Sequence, residues 1–278
     1  MSVDALLLIA VGLVSGYASG LFGIGGGLLR IPIFLHMLPV LGVPVALGMH
    51  VAAGTSLSVA VPTSISASRS QQKAGNLDRG MLWTWLPPLG VGVVLGIVAT
   101  RFVSGRVLAG LFAAVVLVAA IRMLVPRAET DANNTDDKSQ AQLPSRPVLS
   151  ILSLLIGVLS PMVGIVGGTF ATPLLTAMRY PIHRAVAVSS VGGLVVSVLG
   201  TIGFVATGWH VVGLPARFWG YVDPLALLLM TPCVLVTVPL GVWTANRLGA
   251  RTLELLFGLL LAAMALDVAW RVVFWHGG

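Results

Sequence analysis

Arg30 stands inside an apolar run, Gly27-Leu-Leu-Arg-Ile-Pro-Ile-Phe. A charge in such a setting is rare and usually functional. Its chemistry would be capture of an anion; otherwise it snorkels to an interface or pairs with a carboxylate such as Asp4. Immediately before it lie Gly23, Gly25, Gly26 and Gly27. Adjacent glycines oppose helix, so a helix starting after them would leave free N–H groups and a partial positive charge at its first turn. Without side chains in the way, an anion could reach those groups. Gly164, Gly167 and Gly168 repeat the pattern, and Thr169 could add a hydroxyl. Pro32 and Pro173 follow at matching distances and are grouped with the breaks. Carbonyl ends of the preceding half-helices could hold a cation or partly cancel the field. The alternative reading of the glycines is close helix packing.

Thr55, Ser56, Ser189 and Ser190 lie about two turns into the helices that follow. They could offer hydroxyls to a polar ligand, or bond back to their own helix carbonyls. His50 and His183 are placed for a membrane interface, with His50 the candidate for proton coupling. Asp78 and Asp223 precede long apolar runs as N-caps would. Arg122 and Asp267 could pair. Trp83, Trp85, Trp209, Trp219, Tyr221, Trp270 and Trp275 sit near run ends, as interfacial anchors do.

The elements that must position these groups are membrane helices. Of 278 residues, 57% are hydrophobic and 9% charged, against about 25% charged in a soluble domain. Mean hydropathy is +1.00. That excludes a water-soluble enzyme and a disordered chain. The net charge of +7 is scattered at run ends rather than forming a nucleic-acid stripe. Cys233, the single cysteine, rules out a disulfide framework and reads as a small core residue. The start, Met1-Ser2-Val3-Asp4, lacks the basic region of a signal peptide. Apolar runs fall at about 4–38, 44–68, 81–100, 105–125, 148–178, 183–207, 222–246 and 252–275, which suits about 20 residues per span. The first and fifth are too long for one ordinary helix and hold the glycines. Unwound backbone there must be buried in protein or line a polar cavity.

The chain reads as two halves: a membrane repeat over 1–125, a hydrophilic linker over 126–147 and a second repeat over 148–278. Gly23–Pro32 maps onto Gly164–Pro173 with a shift of 141 residues (164 − 23). His50–Ser56 maps onto His183–Ser189 with a shift of 133 (183 − 50). Asp78, Pro87, Leu95-Gly96, Arg106 and Leu111-Phe112 map onto Asp223, Pro232, Leu240-Gly241, Arg251 and Leu256-Phe257 with a shift of 145 (223 − 78).

Basic residues choose between two topologies. If the broken runs cross the membrane, nine of the 16 fall on one side and six on the other. If each is a re-entrant hairpin, eleven fall inside and four outside: Arg101, Arg106, Arg217 and Arg271. Arg30 is left out of both counts. The second division is the stronger bias. Each half is then a hairpin plus three spans, and the halves are inverted, a transporter architecture. The linker faces the cytoplasm in either case.

Gly23–Pro32 with its echo Gly164–Pro173, together with Gly54-Thr55-Ser56, Ser189-Ser190 and the Leu-Gly pairs at 95–96 and 240–241, resembles the TauE/SafE sulfite exporter family. The resemblance covers nearly the whole chain. It implies a permease of the cell membrane for small sulfur-containing anions, including sulfite and organosulfonates. Val166 replaces a glycine of the second motif, and Arg30 is a charge where the family pattern calls for an apolar residue. An extra cation would favour a different or more highly charged anion.

The function expected is therefore a secondary transporter of a small anion, with the two glycine breaks as its site. A proton or a sodium ion is the co-ion to test. No cofactor is expected, and no phosphate-binding loop for ATP is present. An intramembrane enzyme would need a buried catalytic pair, yet Asp4, Glu254 and Asp267 are scattered. A non-transporting subunit would have no use for repeated helix breaks.

Overall fold

A computed structural model describes residues 3–22, 27–124, 145–166, 168–178, 180–245, 247 and 250–274. The linker expected at 126–147 lies outside them except for its last three residues. Ten helices are described: α1 (Val3–Phe22), α2 (Gly27–Met37), α3 (Val45–Lys73), α4 (Arg79–Thr100), α5 (Gly105–Leu124), α6 (Arg146–Val163), α7 (Gly168–Ala177), α8 (Ile182–Gly208), α9 (Pro224–Ala245) and α10 (Ala250–Phe274). Eight apolar runs become ten helices because the two long runs each divide at their glycines. Among the described residues, α3, α4, α6, α8 and α9 are long and apolar enough to cross a membrane, and there is no strand.

Neither half packs by itself. One apolar core gathers α1, α2, α5, α9 and α10 with part of α3; the other gathers α4, α6, α7 and α8 with the rest of it. Helix α1 lies along α9, with Gly12 against Met230 and Cys233, and Gly16 against Val234 and Thr237. Helix α4 lies along α6, with Gly157 against Leu89 and Gly92. These contacts repeat: the shifts of 141 and 145 carry Gly16, Val234 and Thr237 onto Gly157, Leu89 and Gly92. Glycine is needed at these crossings because a Cβ would run into the facing backbone.

Chain directions follow from the same contacts. Gly12 and Gly16 meet rising numbers on α9, so α1 and α9 run parallel. Along α3, Gly54 meets Phe204, Leu57 meets Gly200 and Ser64 meets Gly193, while Ser68 Oγ donates to the Ser190 carbonyl at 3.0 Å. Helices α3 and α8 are therefore antiparallel. Helix α2 runs back along α3, since Gly27 lies beside Ser56 and Leu35 beside Gly48.

The caps expected at Asp78 and Asp223 are present. Asp78 Oδ1 accepts from the Met81 N–H at 3.1 Å, and Asp223 Oδ1 from the Leu225 N–H at 3.0 Å. Trp83, Trp209, Trp219 and Trp270 are exposed. Trp85 is not an anchor: it is fully buried, with its indole beside Gly192 of α8 and its carbonyl accepting from Ser153 Oγ of α6. Trp83 and Trp85 stand two residues apart on one helix, roughly 200° around it, so only one can face outward. Arg122 and Asp267 are not seen to pair, since the Arg122 side chain lies outside the described residues. Asp267 instead meets His36 Nε2 at 3.5 Å and Arg271 at 3.6 Å.

Candidate functional site

The second break is built by Gly164. Helix α6 ends at Val163, and Gly164 takes φ +71°. Its N–H donates to the Pro161 carbonyl (3.2 Å) and the Ile165 N–H to the Ser160 carbonyl (3.0 Å). This pair closes a Schellman cap, which favours glycine at the left-handed position. A Cβ there would lie 2.7 Å from Ile31 Cδ1 and 2.8 Å from Ala53 Cα. Gly164 thus also admits α2 and α3 to the break.

The two breaks touch. Gly27, the first residue of α2, faces the Gly164 carbonyl, Ile165 and Ser56 Oγ. Gly23, Gly25, Gly26 and Gly167 lie outside the described residues, as does the Thr169 side chain; Gly168 opens α7. Pro32 and Pro173 do not break the helices. Each is the sixth residue of α2 or α7 and lies within it. A proline there removes one donor to the carbonyl four residues back; the interruption that is described is at Gly164, where α6 ends.

Arg30 is fully buried. Its Nε donates to Ser15 Oγ and its Nη1 to the Ser56 carbonyl, both at 3.4 Å. Nη2 has no hydrogen-bond partner, and no ion pair holds it among the described residues. The Asp4 side chain, the carboxylate considered for it, lies outside them. Ser56 Oγ, on the adjoining turn of α3, is buried and likewise without a partner. The first break therefore brings together Ser15, Gly27, Arg30 and Ser56, with one guanidinium N–H and one hydroxyl left over. Burying such groups unpaired is costly, and an oxyanion would satisfy both.

Other candidates fall elsewhere. Thr55 Oγ1 accepts from the Asp223 N–H at 3.0 Å and so ties α3 to the start of α9. Asp223 is buried and paired with Arg217 at 2.9 Å. Ser189 is buried with its Oγ unpartnered. Ser190 Oγ bonds back to the Val186 carbonyl at 2.8 Å. His183 is exposed at the start of α8. His50 is not exposed at an interface: it is buried, with Nε2 3.1 Å from the Thr100 carbonyl. Ser15 was not legible as a site residue, because its repeat counterpart is Ile156 and no polar echo marks it.

The bundle has two distinguishable ends. At one, Arg101, Arg106 and Arg271 line a single cavity with the α2–α3 turn. At the other, Asp78 joins the α3–α4 turn to the α7–α8 turn. Its Oδ2 accepts from Tyr180 Oη at 2.9 Å and lies 3.8 Å from Arg184. Burial pushes the Asp78 carboxyl up. The Met81 N–H, the Tyr180 hydroxyl and Arg184 outweigh that and hold it below the usual carboxylate range. Burial, then Asp78 itself, pushes the Tyr180 hydroxyl up.

Residues 8–268 match the family model described as sulfite exporter TauE/SafE. A probable membrane transporter protein of Haemophilus influenzae is 31% identical over 95% of this chain and 97% of its own length. One from Methanocaldococcus jannaschii is 28% identical over 94% and 93%. A Bacillus subtilis relative, probable membrane transporter protein YunE, is 20% identical over 97% and 98%. No solved structure matches the chain. With a family match across nearly its whole length and a helical bundle apolar enough to span a bilayer, the chain belongs to the TauE/SafE sulfite exporter family and is a multi-pass membrane transporter, not an enzyme.

Proposed function

We propose that this transporter moves a small anion, an oxidised sulfur compound such as sulfite or an organosulfonate, through a site where the two glycine breaks meet beside Arg30. The observation that carries the reading is the Arg30 guanidinium: fully buried, with Nη2 unpartnered and Nη1 on the carbonyl of Ser56, whose Oγ is also unpartnered. The start of α2 adds free N–H groups and the positive end of its dipole to the same place. Gly25, Gly26, Gly27, Ser56, Gly167, Gly168, Thr169 and Ser189 complete the proposed lining, while Thr55 and Ser190 contribute through the backbone they hold. The sulfur chemistry of the substrate rests on the family's description.

The halves are inverted repeats, 1–125 and 148–278, each a re-entrant hairpin followed by three spans. Three observations support this. Helices α3 and α8 are antiparallel, and α2 returns along α3. Arg101, Arg106 and Arg271 gather at one end, whereas crossing segments would separate them. Asp78, next to Arg79, meets Arg184 at the other end, and crossing segments would again set those apart. The protein then sits in the cell membrane with the 126–147 linker in the cytoplasm. A proton or a sodium ion serves as co-ion.

Counterflow in proteoliposomes with sulfite, thiosulfate, sulfate, taurine and sulfoacetate tests the reading. At least one should exchange, with imposed pH and sodium gradients identifying the co-ion. Exchange of none, with a cation moving instead, would defeat it.

A further inference from the structure

The cavity at the arginine-bearing end has a volume of about 820 Å³, within the range of small-molecule sites, about 300–1,000 Å³. Leu35, Val43, Met49, Ala109 and Val268 give it apolar walls. Arg101 and Arg106 bring positive charge, Arg271 shares its charge with Asp267, and no carboxylate is among the described lining residues. His50 also lines it, with the Tyr221 ring stacked on the imidazole at 5.1 Å.

His50 is only 6% exposed. Its Nε2 faces the Thr100 carbonyl at 3.1 Å, and a carbonyl can only accept, so Nε2 carries the proton. Nδ1 is buried and has no hydrogen-bond partner. That edge of the ring lies beside Gly105 at the start of α5. Protonation there puts a positive charge in the cavity wall, and an anion in the cavity is held more tightly by the charged ring than by the neutral one. The charged and titratable groups around the ring are Tyr221 from the α8–α9 loop, Arg101 and Arg106 from α4 and α5, and Arg271 from α10, with Asp267 and His36 behind Arg271. Among these described groups only Asp267 is acidic, and Arg271 already faces it, so an anionic ligand would supply a counter-charge for protonated His50.

We propose that this cavity is a second anion site, separate from Arg30, in which a small oxyanion binds together with one proton on His50 Nδ1. The proposal rests on the anion-transporter reading and adds to it a place and a partner for the proton. Ser56, whose carbonyl holds Arg30, is six residues along α3 from His50, or about 9 Å. An anion seated in the cavity is thus one short step from the glycine breaks. By linkage, anion and proton raise each other's affinity by the same factor. Anion affinity therefore rises as pH falls through the range in which histidine titrates, about pH 5–8.

Calorimetry on the purified full chain tests this with methanesulfonate, which stays an anion throughout that range. Heats measured at pH 7 in two buffers of different ionisation enthalpy give the protons taken up per anion bound. The expected result is uptake of up to one proton, abolished in His50→Gln, which keeps a donor for the Thr100 carbonyl. Arg101→Gln should weaken binding about five- to tenfold by removing a charge from the cavity wall. Should His50→Gln fail to fold, the wild type alone decides: affinity must rise several-fold from pH 8.5 to pH 5.5. Proton-linked binding should persist in Arg30→Gln, and its loss there overturns a separate site. Methanesulfonate binding without proton uptake overturns this proposal and leaves the anion-transporter reading standing. No binding of methanesulfonate, sulfite or thiosulfate by the wild type overturns both.

Discussion

Gly27 of the first break and Gly164 of the second lie against each other, but the residues that follow differ. Three residues into α2 comes Arg30, fully buried with a free N–H; at the matching position of α7 comes Ala171, buried in an apolar cluster. Ser56 and Ser189, also matched, both keep unpartnered hydroxyls, yet only Ser56 has the guanidinium beside it. The backbone device is shared by the halves, whereas the charge belongs to one. A symmetric frame with a one-sided cation would hold its anion nearer the first break, on the path from the His50 cavity.

That contrast can be broken at the backbone or at the charge. Of the backbone changes, Gly164→Ala should have the largest effect. It forces a Cβ into a left-handed position and against Ile31 and Ala53. Loss of about 2–4 kcal/mol is expected, read as a lower midpoint of thermal unfolding in detergent. Gly27→Ala should cost less, since its Cβ would meet neighbours at 3.2 Å and 3.4 Å. Equal losses would mean that the second break has no special role as a cap.

Arg30→Gln comes next. Anion exchange in proteoliposomes should fall by about 10- to 100-fold, the weight of a charge-assisted hydrogen bond, with expression and thermal midpoint near those of the wild type. Unchanged exchange would reassign Arg30 to structure. Ala171→Arg should not create a second site; it should unfold the protein, because Ala171 is buried in an apolar cluster where a guanidinium would clash and lose its hydration.

Asp78→Asn keeps a cap, since Asn caps a helix about as well as Asp; it should cost about 1 kcal/mol by losing the charge that faces Arg184 and the second oxygen, which accepts from Tyr180. The pH dependence has a defined sign. The folded carboxyl titrates below its unfolded value, so its contribution is full above about pH 3.9 and is lost as pH falls through the lower folded value. Acid unfolding followed by circular dichroism should therefore show a smaller acid-induced loss in the Asn variant. Smallest of all, Ser56→Ala should weaken anion binding a few-fold by removing one hydrogen bond, and Ser189→Ala by less, as no cation adjoins it. The reverse order would place the anion at the second break.

Much of the fold was readable from local properties. The apolar runs at 81–100 and 105–125 became α4 and α5 at nearly those bounds. The adjacent glycines marked both interruptions, since glycine acts on its own backbone. Asp78 and Asp223 were readable as caps for the same reason. Failures came where a neighbouring helix decides. Trp85 is apolar and aromatic wherever it sits, and only the packing of α8 and α6 on α4 makes it core rather than anchor. Pro32 looked like a breaker, but α2 absorbs it at the loss of one hydrogen bond. Ser15 became a partner of Arg30 only through the meeting of α1 and α2.

By itself the sequence determined a membrane-embedded, helical chain with two interruptions at matching places and one cation out of place. Composition and glycine runs are local and survive any packing. Tertiary structure decided that the interruptions touch, that Arg30 meets the Ser15 hydroxyl and the Ser56 carbonyl, and that His50 lines a cavity. Those outcomes join residues far apart in the chain: Gly27 and Gly164 are 137 positions apart (164 − 27). They follow from which helix faces close-pack, a property that no single segment carries.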